Sequence, residues 1–82
     1  MRIGEIWICI NAITMMVAKT PDTGFEIYKI DVNDRIIIKK IDYDAFGVMV
    51  ITIKSLEKED PPFPLHSSMF LSFFYKDYDA SW

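Results

Sequence analysis

The chain has little cysteine and little histidine: one of each, Cys9 and His66. A single cysteine excludes a disulfide within one chain, and the lack of a Cys/His cluster argues against a metal site. Cys9 stands between Ile8 and Ile10 rather than beside cations. We therefore expect a buried, unreactive thiol in a reducing cytoplasm, and no metal or other cofactor.

Leucine is scarce as well, with three Leu against thirteen Ile and four Val in 82 residues. β-Branched side chains are stiff at χ1 and suit a pleated surface better than a helix, so the composition predicts a small β protein. A chain of this length forms one domain with a thin core. Without disulfides or metals, such a domain relies on packing or on association.

An excess of basic charge is also missing. The net charge is −3, and residues 1–54 balance seven Lys/Arg against seven Asp/Glu, so the excess acid lies in residues 55–82. This argues against non-specific binding to a nucleic-acid backbone. The apolar run over residues 6–18 is too short to span a bilayer, follows Glu5 and precedes no A-x-A site, so we expect core strands there rather than a signal peptide, and no membrane contact.

Apolar runs separated by turn residues predict a five-stranded domain. The hairpin of residues 35–53 is its strongest element, because two apolar runs face each other across a loop that contains Gly47. Residues 20–24 carry Pro, Asp and Gly and predict a turn. The predicted strands cover residues 6–10, 13–18, 25–30, 35–41 and 48–53.

The C-terminal third is predicted to leave the sheet. Residues 56–64 contain prolines, which cannot donate ladder hydrogen bonds, so we expect a loop there. Residues 67–74 have apolar side chains at helical spacing behind two serines that can cap a helix. Strand alternation fits the same residues, so that alternative stays open, and the tail from Tyr75 to Trp82 is expected to be loosely held.

The segment from Tyr28 to Ile38 resembles the "apolar-x-x-Gly-Asp-x-apolar-x-apolar" strand entry of Src-homology-3-like small barrels. Asn33 stands where that family usually has glycine, and asparagine tolerates a left-handed backbone. Pro64 to Phe70 stands where such barrels carry a short helical turn. The resemblance implies a mainly β fold: a five-stranded small barrel over residues 1–82 with a short C-terminal helix. It transfers no binding residues, because the Ala-Leu-Tyr-Asp-Tyr run and paired Trp of the Src-type peptide groove are absent.

The apolar surplus suggests what the domain does. One barrel interior takes one face of each strand, yet residues 6–10 and 48–53 are apolar on both. We therefore expect a non-catalytic protein–protein interaction module. The Ile- and Lys-rich, Leu-poor composition is similar to that of short orphan phage proteins, which implies a phage- or bacterium-encoded adaptor or inhibitor of a host protein in the cytoplasm. The candidate interface residues are four aromatics near the C-terminus: Phe70, Phe73, Phe74 and Trp82.

Two other functions remain open. Arg35, Lys39 and Lys40 form the only basic cluster, and with Tyr43 they make a candidate nucleic-acid face. The same lysines can instead protect a strand edge from aggregation. The third reading is a structural subunit of a homo-oligomer. No enzyme is expected, because the Tyr-Asp pairs in the loops have neither a nucleophile nor an oriented base nearby.

Overall fold

The computed structural model describes residues 1–20 and 24–77. These residues form a mainly β domain with one short helix, which agrees with the fold class that the composition predicts. The elements in chain order are β1 (Ile6–Cys9), β2 (Ile13–Thr20), β3 (Gly24–Ile30), β4 (Arg35–Tyr43), β5 (Met49–Ser55), β6 (Phe63–His66), α1 (Ser67–Phe73) and β7 (Phe74–Lys76).

Seven strands among the described residues, rather than the five predicted, form two antiparallel sheets. The larger has the order β6-β5-β4-β1-β7, and β2 and β3 form a two-stranded sheet of their own. The sheets are not closed into a barrel among the described residues, since β6 and β7 are the two edges of the larger one.

The β4–β5 hairpin lies at the centre of the core, as the sequence predicted. Ile38 faces Ile53 across the hairpin, and both are fully buried. The register then shifts between Ile38 and Lys40, which adds one residue to β4. Such a bulge lets Ile41 return to the core side, where it lies opposite the buried Ile51.

The predicted loop over residues 56–64 was wrong at its end, because β6 begins at Phe63 and includes Pro64. Pro64 pairs in register with Thr52 of β5. A proline is tolerated here because β6 is an edge strand, whose outer side needs no backbone donor.

The helix over residues 67–74 was predicted almost correctly, since α1 ends at Phe73. The chain then becomes extended, and β7 pairs with β1 so that Phe74 lies opposite Cys9 and Tyr75 opposite Ile8. The expectation of a loosely held tail was therefore wrong for Tyr75 and Lys76. Residues 78–82 lie outside the described residues.

The turn between β3 and β4 supports the expectation for Asn33, whose φ is +74°. Lys58, in the segment after β5, binds this turn through its side chain. Its Nζ donates to the Lys29 carbonyl oxygen at 2.7 Å and to Asp31 Oδ2 at 2.8 Å, and lies 3.1 Å from Asp34 Oδ2. The turn predicted over residues 20–24 lies mostly outside the described residues.

The β2–β3 hairpin joins the core through one of its faces. Ile13 and Ile30 pair in register and are buried, and the Tyr28 ring stacks on Phe63 of β6 at a centroid distance of 5.8 Å. Cys9 is fully buried beside them, with Sγ donating to the Asn11 carbonyl oxygen, so the buried thiol was predicted correctly.

Candidate functional site

The structure places the candidate interface aromatics mainly in the core. Phe70 and Phe74 are buried, and their ring centroids are 5.1 Å apart. Trp7 packs edge-on against Phe70 at 4.8 Å. Phe73 is half-buried against the same cluster, and Trp82 lies outside the described residues. Phe70 and Phe74 therefore have no surface to offer a partner in this conformation.

The basic residues lie along β4 but do not act as a free cationic patch. Arg35 Nε donates to Glu57 Oε1 at 3.0 Å, and Lys40 Nζ lies 2.8 Å from Asp42 Oδ2. The hydrogen bond from Lys40 to Asp42, with the attraction between their charges, raises the pKa of Lys40 above its ordinary value. Lys39 is exposed at the bulge. Two of the three cations thus have carboxylate partners.

The loop between β4 and β5 presents the most exposed large apolar side chain of the described residues. Phe46 is 92% exposed, and Tyr43, at the end of β4, is 67% exposed. Val48 lies on the other side of the loop and is also exposed. We call these three residues the aromatic tip.

A network of hydrogen bonds closes this loop. The Asp44 carboxylate is its centre, since Oδ1 accepts from the backbone N–H groups of Phe46 at 2.8 Å and Val48 at 3.0 Å. The backbone closes around it, because the Asp44 N–H donates to the Val48 oxygen and the Gly47 N–H donates to the Asp44 oxygen. Gly47 has φ +78°, a conformation that glycine adopts without strain.

The second oxygen of Asp44 reaches β6. His66 Nε2 lies 3.7 Å from Asp44 Oδ2, and His66 is itself exposed. The contact becomes an ion pair when His66 is protonated. The arrangement is therefore a convex, preorganised apolar tip on a carboxylate-centred loop, and such a shape suits insertion into a cavity of another molecule.

The sequence pattern placed Tyr43 in the candidate nucleic-acid face but did not single out Phe46. The signal that could have identified Phe46 is local: an aromatic residue between Asp44 and Gly47, in a short hairpin turn. Burial could not be read from that pattern, because a ring in a hairpin loop can also fold back onto the sheet.

Three features are missing from the part of the chain that the structure describes. No group of three or more His, Cys, Asp or Glu side chains is arranged to hold a metal ion. There is no enclosed pocket. Residues 1–20 and 24–77 contain no helix long and apolar enough to cross a membrane.

Comparison of the chain with models of protein families, with curated proteins and with solved structures gave no significant match.

Proposed function

We propose that this chain is a non-catalytic protein–protein interaction module that inserts Phe46 into an apolar cavity on another protein. The observation that carries the proposal is the 92% exposure of a phenylalanine whose loop is fixed by its own hydrogen bonds. An exposed aromatic ring is disfavoured in water, and aromatic anchors dominate the energetics of protein interfaces.

Such an anchor would supply part of the free energy of binding, and the surrounding contacts would supply the rest. Complete burial of one phenylalanine side chain contributes about 2–3 kcal/mol. Because Asp44 already holds the loop, binding does not have to order it, and more of this free energy remains for affinity. Tyr43 and Val48 flank the ring and would extend the apolar contact.

We also propose that the domain is an open variant of the Src-homology-3-like arrangement. Three features support this: a long early excursion, here the β2–β3 hairpin; a central β4–β5 hairpin; and a short helix, α1, before the last strand. The composition and the buried Cys9 support a cytoplasmic adaptor or inhibitor encoded by a phage or bacterium. We do not extend the proposal to nucleic acid, because Arg35 and Lys40 are paired with carboxylates.

The test uses the wild-type chain and Phe46→Ser as baits in a bacterial lysate, with and without nuclease. Phe46 makes no contribution to the core, so Phe46→Ser should fold with an unchanged melting temperature. We expect a protein that binds the wild type, persists after nuclease and is lost with Phe46→Ser.

Leu71→Ser is the matched control, because Leu71 is an exposed apolar side chain that belongs to α1 and not to the loop. It should retain the same protein as the wild type. Equal capture by Phe46→Ser, or capture that nuclease removes, would refute the proposal.

A further inference from the structure

A second apolar surface lies on the β2–β3 hairpin, on the face turned away from the core. Met16 and Ile27 pair in register there, and they are 64% and 61% exposed. Phe25, one pair further along the same face, is 65% exposed. Thr14 and Lys29 form the next pair on the same face, at the end of the patch opposite to Phe25. We call these five residues the hairpin face.

The strand pleat explains why this face is left uncovered. Side chains alternate between the two faces of a strand, and the intervening pairs, Ile13 with Ile30 and Met15 with Tyr28, turn toward the core. None of the residues of the hairpin face belongs to that core. A two-stranded sheet is marginally stable alone and gains from a second layer on its open face.

The area is close to what association requires. Each of the three apolar residues presents roughly 130 Å² if a full side chain presents roughly 200 Å², so the patch is about 400 Å². Two such patches would bury about 800 Å², and about 1,000 Å² with their polar rims, which is about the least that a biological interface buries and falls in the range of weak, transient complexes. A weak, reversible complex of micromolar affinity is the expected result.

The charges of the hairpin face favour a second copy as its occupant. Its centre is uncharged, so two identical faces meet without repulsion and without an unpaired buried charge. Lys29 lies at one end, about 7 Å along the strand from Ile27. We place the two-fold axis between the two stacked sheets, perpendicular to the strands. The Cα atoms of the two Lys29 residues are then about 17 Å apart. This distance exceeds the Debye length of about 8 Å, so the repulsion between the two charges is screened.

We infer that the hairpin face packs against the same face of a second copy of this chain, with Met16 and Ile27 on the two-fold axis and Phe25 over the Lys29 stem of the other copy. The surface is separate from the aromatic tip, which lies on the β4–β5 hairpin. Either proposal can therefore fail while the other stands. A dimer would carry two aromatic tips, which would strengthen binding to a partner that has two cavities.

Light scattering or sedimentation over about 1 to 500 µM tests the inference, since this range brackets a micromolar dissociation constant. The wild-type mass should rise from one chain to two. Ile27→Lys should remain a monomer, with dimer dissociation weakened at least about tenfold, because it buries two like charges at the axis. Phe46→Lys is the control and should associate like the wild type.

Two further measurements separate association from folding. Met16→Lys repeats the test from the other strand if Ile27→Lys unfolds. A mixture of Ile27→Lys and Ile27→Glu should associate more than either alone, because each residue faces its own counterpart across the axis. The inference would be overturned if the wild type stayed monomeric over the whole concentration range, or if Ile27→Lys dimerised like the wild type. It would also be overturned if the mixture associated no more than either variant alone, or if a different protein bound this face of a monomer.

Discussion

At the scale of single residues, Glu5 is a buried carboxylate with hydrogen-bond and ion-pair partners. The Trp7 indole Nε1 donates to its Oε1 at 3.2 Å, and Lys76 Nζ lies 3.1 Å from its Oε2. Burial alone would raise the pKa of Glu5. The hydrogen bonds from the Arg2 backbone, Lys76 and Trp7, with the positive charge of Lys76, outweigh it, so that the pKa is lower than usual.

Glu5→Gln should lower the free energy of unfolding at pH 7 by about 2 kcal/mol, less than for a fully enclosed ion pair because Lys76 keeps some access to water. The unfolded pKa of glutamate is about 4.3. Since the folded pKa is lower, the charge stabilises the fold above that value, and this contribution is lost as pH falls through the folded pKa.

Urea unfolding at pH 7 and at about pH 3 measures the effect, and the gap between wild type and Glu5→Gln should narrow in acid. Asp42→Asn is the control, because its exposed pair with Lys40 contributes little. An equal gap at both pH values would contradict the assignment of the charge as the cause.

A substitution of Ile51 tests whether the β4–β5 hairpin is central to the core. Ile51 is fully buried between Ile41 of β4 and Leu65 of β6. Ile51→Asp should destabilise the fold by about 4 kcal/mol or more, since it places an unpaired charge in the core. Thermal unfolding followed by circular dichroism measures it, with Phe46→Asp as the exposed control. An unchanged melting temperature for Ile51→Asp would show that the β4–β5 hairpin is not central to the fold.

At the scale of elements, the β4–β5 loop is organised by one side chain. Asp44 accepts two backbone hydrogen bonds and leaves its second oxygen toward His66. The loop therefore depends on a residue that the proposed partner need not touch. A substitution of Asp44 therefore tests how Phe46 is positioned, whereas a substitution of Phe46 tests its contact with a partner.

Asp44→Ala should lower the free energy of unfolding by about 1–2 kcal/mol, because two backbone N–H groups lose their acceptor. It should also weaken capture of the proposed partner, since the loop must then be ordered on binding. Chemical denaturation and the pull-down measure the two effects. Asp42→Ala is the matched control and should change neither. Full retention of both by Asp44→Ala would remove the argument for a preorganised tip.

At the scale of the whole molecule, the charge distribution gives no support to a polyanionic partner. The net charge is −3, and Arg35, Lys40 and Lys58 all lie within 4 Å of a carboxylate. Binding to nucleic acid would require these cations to exchange their present partners for phosphates. The two apolar surfaces, by contrast, are unoccupied by the described residues.

We expect no measurable binding of single-stranded oligonucleotides, even at low salt. Fluorescence anisotropy with a labelled oligonucleotide measures it. The double variant Lys39→Glu, Lys40→Glu serves as the comparison. If the wild type bound phosphates through these lysines, the double variant would lose the binding and added salt would weaken it. Micromolar binding by the wild type at physiological salt, lost in that variant, would favour the nucleic-acid function instead.

The sequence by itself determined what depends on neighbours in the chain. The excess of β-branched residues determined the class of fold, and paired apolar runs located the β4–β5 hairpin. The burial of Cys9 also follows from its apolar neighbours. Each of these rests on backbone preference or on periodicity, which a few adjacent residues express.

Only the tertiary structure decided features that depend on distant partners. Pro64 lies in a strand because β6 is an edge, and Phe74 begins a strand because β1 offers it a ladder. Phe70 and Phe46 are both aromatic residues outside the apolar runs that predict strands, yet one is in the core and the other in solvent. The physical reason is that burial is set by which surfaces meet after the chain has folded, and sequence spacing records only which residues share a face.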